Sequence, residues 1–299
     1  MTHRIARTEL LDIAYRESGP ADGPAVVLLH GFPYDVRAYD EVAPPLADDG
    51  MRVIVPWLRG FGPTRFRDAT TLRSGEQAAL ADDLLHLLDA LGVERAHLVG
   101  YDWGGRAACV VAALRPERVA SLVTVDGYNV HDLATAGEPA PPVAEKPFWY
   151  QYYLQTERGR RGLAADREAF CRLLWRDWSP EWPDAERAFA ASAPSLHNPD
   201  FVEVVTHSYR VRHALVPGDP RYAELDRAIA AQPPITVPTI VLRPLADGLD
   251  ADIPGEPTAD PALFPQLVDM VELPGIGHDV PQEAPDAVVT AVRRLRGVD

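Results

Sequence analysis

The chain has 299 residues and 46% apolar content, enough for one large core or a core with an inserted subdomain, and it does not require two independent domains. Its net charge is −15 and Lys146 is the only lysine among 29 basic residues, which argues against nucleic acid or an anionic membrane as partner, because both are bound through basic patches. Cys109 and Cys171 stand in no metal-ligand spacing and read as free thiols of a reducing cytoplasm.

The first residues lack the continuous apolar stretch of a leader, and no run approaches the roughly 20 apolar residues of a membrane span. A soluble cytoplasmic protein is expected, with a homodimer left open. From Ile5 to Glu17 a loose alternation broken at Gly19-Pro20 predicts an opening antiparallel pair. Ala25–Leu29, Arg52–Pro56 and Ala96–Val99 are apolar runs too short for helices, each running into a glycine-bearing loop. Between the last two, the leucines and alanines of Ser74–Leu91 recur at helical spacing, with Ser74 as N-cap and Gly92 as stop. Asp102–Leu114 reads as a helix closed by Pro116, Val119–Val125 as a strand, and Thr239–Leu242, Val268–Leu273 and a helix from Gln282 to Leu295 repeat the pattern.

Such alternation predicts parallel strands with right-handed crossovers. The stretch 131–232 differs, being rich in Trp, Tyr, Arg and Pro with helical periodicity. It is expected to form a helical lid between core segments 1–130 and 233–299, with Pro139-Ala140-Pro141-Pro142 as a stiff linker and Pro233-Pro234 as the return hinge. Within it, Arg158-Gly159-Arg160-Arg161 reads as a solvated turn, and Arg172, Trp175 and Trp178 as packing.

Gly100-Tyr101-Asp102-Trp103-Gly104-Gly105 sits where an apolar strand turns into a helix and follows the pattern G-x-nucleophile-x-G. Small neighbours are needed because the turn is tight and the nucleophile must project above the strand ends. An aspartate there also suits a plain N-cap. His30-Gly31-Phe32-Pro33 after the earlier strand weighs against that, since a loop so placed supplies a backbone N–H, that of Phe32, to join the N–H of Trp103 in an oxyanion hole. Gly277-His278 after the last strand completes the order nucleophile, acid, histidine.

His30–Pro33, Arg59-Gly60-Phe61-Gly62, Gly100–Gly105 and Gly275-Ile276-Gly277-His278-Asp279 resemble, in order and over essentially the whole chain, the α/β-hydrolase superfamily and within it the epoxide hydrolase and haloalkane dehalogenase branch. The resemblance implies a mostly parallel eight-stranded sheet flanked by helices, an aspartate nucleophile at Asp102, a cis peptide at Phe32-Pro33, and no metal or organic cofactor. Two aspartates qualify as the acid that orients His278. Asp247 follows Pro244-Leu245-Ala246 where the branch has Gly-x-x-Asp, lacking that glycine, and Asp126 lies 24 positions past Asp102. Asp247 is favoured, and the unused aspartate is expected to cap a loop or stay solvated.

Similar epoxide hydrolases use two lid tyrosines to protonate the departing oxygen. Trp149-Tyr150-Gln151-Tyr152-Tyr153 matches the first pattern at Tyr150, with Tyr152 or Tyr153 as substitutes in another register, and Ser208-Tyr209-Arg210 matches the second. Trp149, Tyr153, Trp103 and Phe32 are expected to line the site for a small hydrophobic epoxide, a natural product among the options, and water. Dehalogenation is the rival, with ring N–H donors such as Trp103 holding the halide and Trp149, Trp175 or Trp178 as the second donor. A non-hydrolytic biosynthetic enzyme or a ligand receptor of the same fold stands further off.

Overall fold

The computed structural model describes residues 3–249 and 260–297; the remaining positions of the two expected core segments lie outside the described residues. Strands β1 (Arg4–Arg7), β2 (Leu11–Ser18), β3 (Ala25–Leu29), β4 (Arg52–Pro56), β5 (Arg65–Phe66), β6 (Ala96–Gly100), β7 (Val119–Val125), β8 (Thr239–Pro244) and β9 (Leu267–Leu273) form one sheet. Its order is β1-β2-β4-β3-β6-β7-β8-β9, and the two-residue β5, too short to leave a periodic signature, pairs with β2 as a ninth strand beyond the eight expected. The first strands pair antiparallel, and from β4 to β9 every pair is parallel. β3, β6 and β7 are buried at every position because helices cover both faces, whereas β9 alternates at the sheet edge.

Helices α1 (Ala43–Asp48), α2 (Gln77–Ala90) and α3 (Asp102–Leu114) belong to the core. α2 begins later than expected, and Ser74 does not cap it. The Ser74 hydroxyl instead donates to the Glu76 carboxylate and its carbonyl accepts from Arg59, whose guanidinium makes a buried two-pronged pair with Asp83 at 2.6 and 2.7 Å. Between the adjacent strands β7 and β8 the chain makes α4 (Pro142–Glu145), α5 (Trp149–Gln155), α6 (Glu157–Ala165), α7 (Arg167–Trp178), α8 (Ala185–Ser192), α9 (Phe201–Arg212) and α10 (Ala223–Ile229), with no strand among the described residues. Arg158–Arg161 lie inside α6 rather than in a turn, because the Thr156 hydroxyl accepts from the Gly159 N–H and so caps a helix at that point. The final helix is split into α11 (Val280–Glu283) and α12 (Pro285–Arg296), since Pro285 has no N–H to continue the ladder.

The helical segment is tied to the core over one sheet end. Ser192 and Ser195 donate to the buried Asp35 carboxylate, Asn198 donates to the Gly62 and Thr64 carbonyls, and the Trp175 indole donates to the Pro33 carbonyl at 3.2 Å. Strand register brings Leu29 beside Gly100, Gly100 beside Thr124, Val125 beside Leu242, and Pro244 beside Leu273. The loops that follow these positions, carrying Phe32, Asp102, Asp126, Asp247 and His278, therefore emerge together beneath those helices. Among the described residues no helix is long and apolar enough to cross a membrane.

Candidate active site

Asp102 opens α3 with φ +48, a left-handed conformation that L residues avoid unless their surroundings impose it. What imposes it is close approach. A Cβ on Gly104 would overlap the Leu29 carbonyl, and one on Gly31 would stand 2.7 Å from the Asp102 Cβ. Asp102 Oδ1 accepts the Phe32 N–H at 2.7 Å, and the Phe32-Pro33 peptide is cis. Trp103 follows in the first turn, where its N–H is one of those left without an intrahelical partner. The Trp103 ring stacks on Phe32 at 5.5 Å, and its buried indole N–H has no partner among the described residues.

His278 Nδ1 shares a hydrogen bond of 2.6 Å with Asp247 Oδ2, both side chains being buried. The His278 backbone N–H donates to the Trp178 carbonyl, while Nε2 is buried without a partner among the described residues. Burial opposes charge on this imidazole, yet the Asp247 carboxylate, through its field and its hydrogen bond, outweighs burial and lifts the pKa to about 9, with Asp102 and Asp126 adding to the effect. Asp126, the other candidate acid, is half-buried with φ +58, and Asp126, Asp247 and His278 hold their polar atoms within 4.8 Å of one another.

Tyr150 on α5 and Tyr209 on α9 come together over this end of the sheet, their rings perpendicular at 5.3 Å and both packed on Phe32. Both are fully buried. The Tyr150 hydroxyl accepts from Gln151 Nε2 at 3.0 Å, and the Tyr209 hydroxyl has no partner among the described residues. Burial above all raises both phenols, Tyr150 to about 12 and Tyr209 well above its ordinary value, so both are neutral at pH 7.

Two expected lining residues stand elsewhere. Trp149 is 38% exposed and packs on Tyr153 and Phe170, and Tyr153 is turned onto Phe170 and Gly162. The physical reason is helical phase for the first and packing for the second. With Tyr150 facing the core, phase turns Trp149 and Tyr152 away, Tyr152 being 39% exposed, whereas Tyr153 shares the Tyr150 side of the helix and is drawn aside by its packing on Trp149 and Phe170. Trp178, expected to pack within the lid or to serve as a second halide donor, lies 5.0 Å from the His278 ring and 5.1 Å from Tyr150.

Sequence reasoning missed Arg106, whose Nη2 lies 3.6 Å from Asp102 Oδ2, although an arginine four residues after the nucleophile on a helix is a legible neighbour. Arg212, which lines a small cavity together with Arg106, has no local signal in sequence.

A family profile described as alpha/beta hydrolase fold matches residues 24–170. Epoxide hydrolase B of Mycobacterium tuberculosis is 32% identical over 173 residues, covering 52% of this chain and 48% of that protein. Fluoroacetate dehalogenase of a Burkholderia species is 35% identical over 159 residues, 51% of each. The chain spans about half the length of the curated relatives it matches. A crystal structure of a Klebsiella pneumoniae protein, provisionally named an epoxide hydrolase, is 43% identical with a TM-score of 0.94, over 98% of this chain and 97% of that one.

Proposed function

Because this chain belongs to the α/β-hydrolase fold family, in the branch of the epoxide hydrolases and haloalkane dehalogenases, we propose that it hydrolyses an epoxide to a vicinal diol through an ester of Asp102. One Asp102 oxygen attacks a ring carbon in line, the carbon–oxygen bond breaks, and Tyr150 or Tyr209 gives its proton to the departing oxygen. His278 Nε2 then takes a proton from water, the resulting hydroxide adds to the ester carbonyl carbon, and the oxyanion rests on the N–H groups of Phe32 and Trp103. Collapse breaks the ester, frees the diol and restores the Asp102 carboxylate, and the proton on His278 returns to the tyrosinate. Asp247 holds the imidazole tautomer. The helices from α4 to α10 serve as the lid.

The observation that carries this reading is the pair of neutral, buried phenols on two different helices beside Phe32, one hydroxyl without a partner among the described residues. Phenols of raised pKa donate to a strong alkoxide yet stay protonated at neutral pH. Turnover of an epoxide panel in ¹⁸O-water tests it: label should enter the Asp102 carboxylate in a single turnover, and Asp102→Asn should abolish turnover. Label found only in the diol would overturn the ester route.

One observation favours a second reading, hydrolytic dehalogenation: the unpartnered Trp103 indole beside Asp102 is a ready halide donor. Of the other expected donors, Trp175 is already engaged with Pro33 and Trp149 is exposed, which leaves Trp178. Fluoride or chloride release from small halocarbons distinguishes the two.

A further inference from the structure

Tyr150 has a polar neighbour on its own helix, and that neighbour has a second partner on another. Gln151 Nε2 donates to the Tyr150 hydroxyl oxygen at 3.0 Å, and Gln151 Oε1 meets Nε2 of His213, the residue that closes α9, at 3.1 Å. Gln151 is 1% exposed, so its amide must find its partners within the protein. His213 is half-buried, its ring lies 5.3 Å from that of Tyr152, and it faces an outer cleft of about 440 Å³ that Glu145 and Arg212 also line. His213, Gln151 and Tyr150 thus form a hydrogen-bonded row from the cleft to the phenol. Tyr209 has no counterpart, its hydroxyl being without a partner among the described residues.

The direction of this row decides what Tyr150 can do, because a phenol has a single proton. With the amide nitrogen toward Tyr150, the phenol oxygen accepts and its proton is left for a substrate. With the amide turned over, the Gln151 oxygen would take that proton and the nitrogen would donate to an unprotonated His213 Nε2, leaving nothing for the departing oxygen. Both directions make the same number of hydrogen bonds. Two features select the first. The Asp102 carboxylate, whose charge acts on Tyr150, draws the phenol proton toward itself. A proton on His213 Nε2 makes that atom a donor only and obliges Gln151 Oε1 to face it. Burial first and the Arg212 charge next hold His213 below its ordinary value against the pull of Glu145, so the ring is neutral at pH 7 and acts here as an N–H and not as a charge.

We propose that His213 is a positioning residue for the proton donor: by donating to Gln151 it fixes the amide that keeps the Tyr150 proton available to the substrate. This rests on the epoxide chemistry above. As the ring carbon–oxygen bond breaks and Asp102 forms its ester, the Tyr150 proton passes to the departing oxygen, and the phenolate left behind accepts the Gln151 N–H. A hydrogen bond that strengthens as charge develops favours the transition state over the ground state. The Gln151 N–H, together with the Arg212 charge, already opposes the effect of burial on the Tyr150 proton.

His213→Phe removes the N–H and keeps a ring against Tyr152. In single turnover with styrene oxide it should slow formation of the Asp102 ester about fivefold to tenfold, with substrate affinity unchanged. His213→Gln places an amide N–H near the same point and should recover most of the rate. Because His213 acts only through Gln151 and Tyr150, His213→Phe should have no further effect in Tyr150→Phe or in Gln151→Met, a result that general damage to the two helices would not give. Calorimetric binding of 2-phenylacetamide, whose carbonyl can accept the phenol proton, repeats the comparison without turnover. Ester formation slowed by Tyr150→Phe but untouched by His213→Phe, or a His213→Phe effect that persists undiminished in Tyr150→Phe, would overturn the positioning role and leave the epoxide chemistry standing. Amide binding weakened by His213→Phe only while Tyr150 is present, in an enzyme that opens no oxirane, would uphold the positioning role and overturn the epoxide chemistry.

Discussion

In Asp247→Asn the His278 imidazole would keep a neighbour at the 2.6 Å position but lose its charge. Burial works against an imidazolium here, so the rise from 6.5 to about 9 is the work of carboxylates, with Asp247 foremost and Asp126 last in order of effect. At about 1.36 kcal/mol for each tenfold in proton affinity, that rise corresponds to on the order of 3 kcal/mol of support for the protonated ring. Above pH 9, where the resting imidazole is neutral, the same support acts when His278 takes a proton from the attacking water, so its loss should there slow ester hydrolysis on the order of a hundredfold. An asparagine amide donating to Nδ1 would add to the loss by moving the proton onto Nε2. Ring opening uses neither group, so rapid quench and intact-mass measurement should show the Asp102 ester forming at near wild-type rate and then accumulating. Asp126→Asn should slow hydrolysis less than tenfold. A larger effect at Asp126 than at Asp247, or no ester accumulation in Asp247→Asn, would refute this assignment of the acid.

The steps before and after the ester respond to different perturbations. Tyr209→Phe should slow ring opening about a hundredfold or more, the usual worth of a general acid, with no accumulation of ester; single-turnover quench measures it. In wild type, the basic form of His278 becomes tenfold scarcer for each pH unit below its pKa of about 9, so steady-state ester should increase between pH 9 and pH 6, and a level that stays flat would exclude His278 as base. Esterification removes the Asp102 charge, one of those that retain the His278 proton, and should shift the midpoint of this profile below 9. Gly104→Ala would drive a methyl into the Leu29 and His30 carbonyls. It should cost about 2–3 kcal/mol, lowering the melting temperature by roughly 5–10 °C in calorimetry.

How far the site was legible in sequence follows from how local each of its causes is. The turn at Asp102 is dictated by residues within three positions of it, Gly100, Gly104 and Gly105, and the α3 bounds came out as the spacing predicted, Asp102–Leu114. Tyr150 and Tyr209 could be named because each carries its own short pattern, although helical phase sets Tyr152 aside and packing on Phe170 turns Tyr153 away, leaving Tyr150 inward. The start of α2 was misplaced because Ser74 answers to Arg59 and Glu76 and not to the helix, a competition that a linear scan for caps does not contain.

The acid and the arginines show the other limit. Asp126 and Asp247 both follow strands ending at the same end of the sheet, so topology sends both toward His278, and the 2.6 Å contact with Asp247 is what favours Asp247 in the proposed mechanism. Arg106 is tied to Asp102 by one helical turn and so could have been read, whereas Arg212 comes to line a cavity with Arg106 only through the tertiary fold. The chemistry proposed for a carboxylate nucleophile therefore draws on short core loops that the sheet register aligns and on phenols that the helical insertion delivers from a distance, so a change at Tyr209 on α9 touches ring opening while leaving the turn at Asp102 intact.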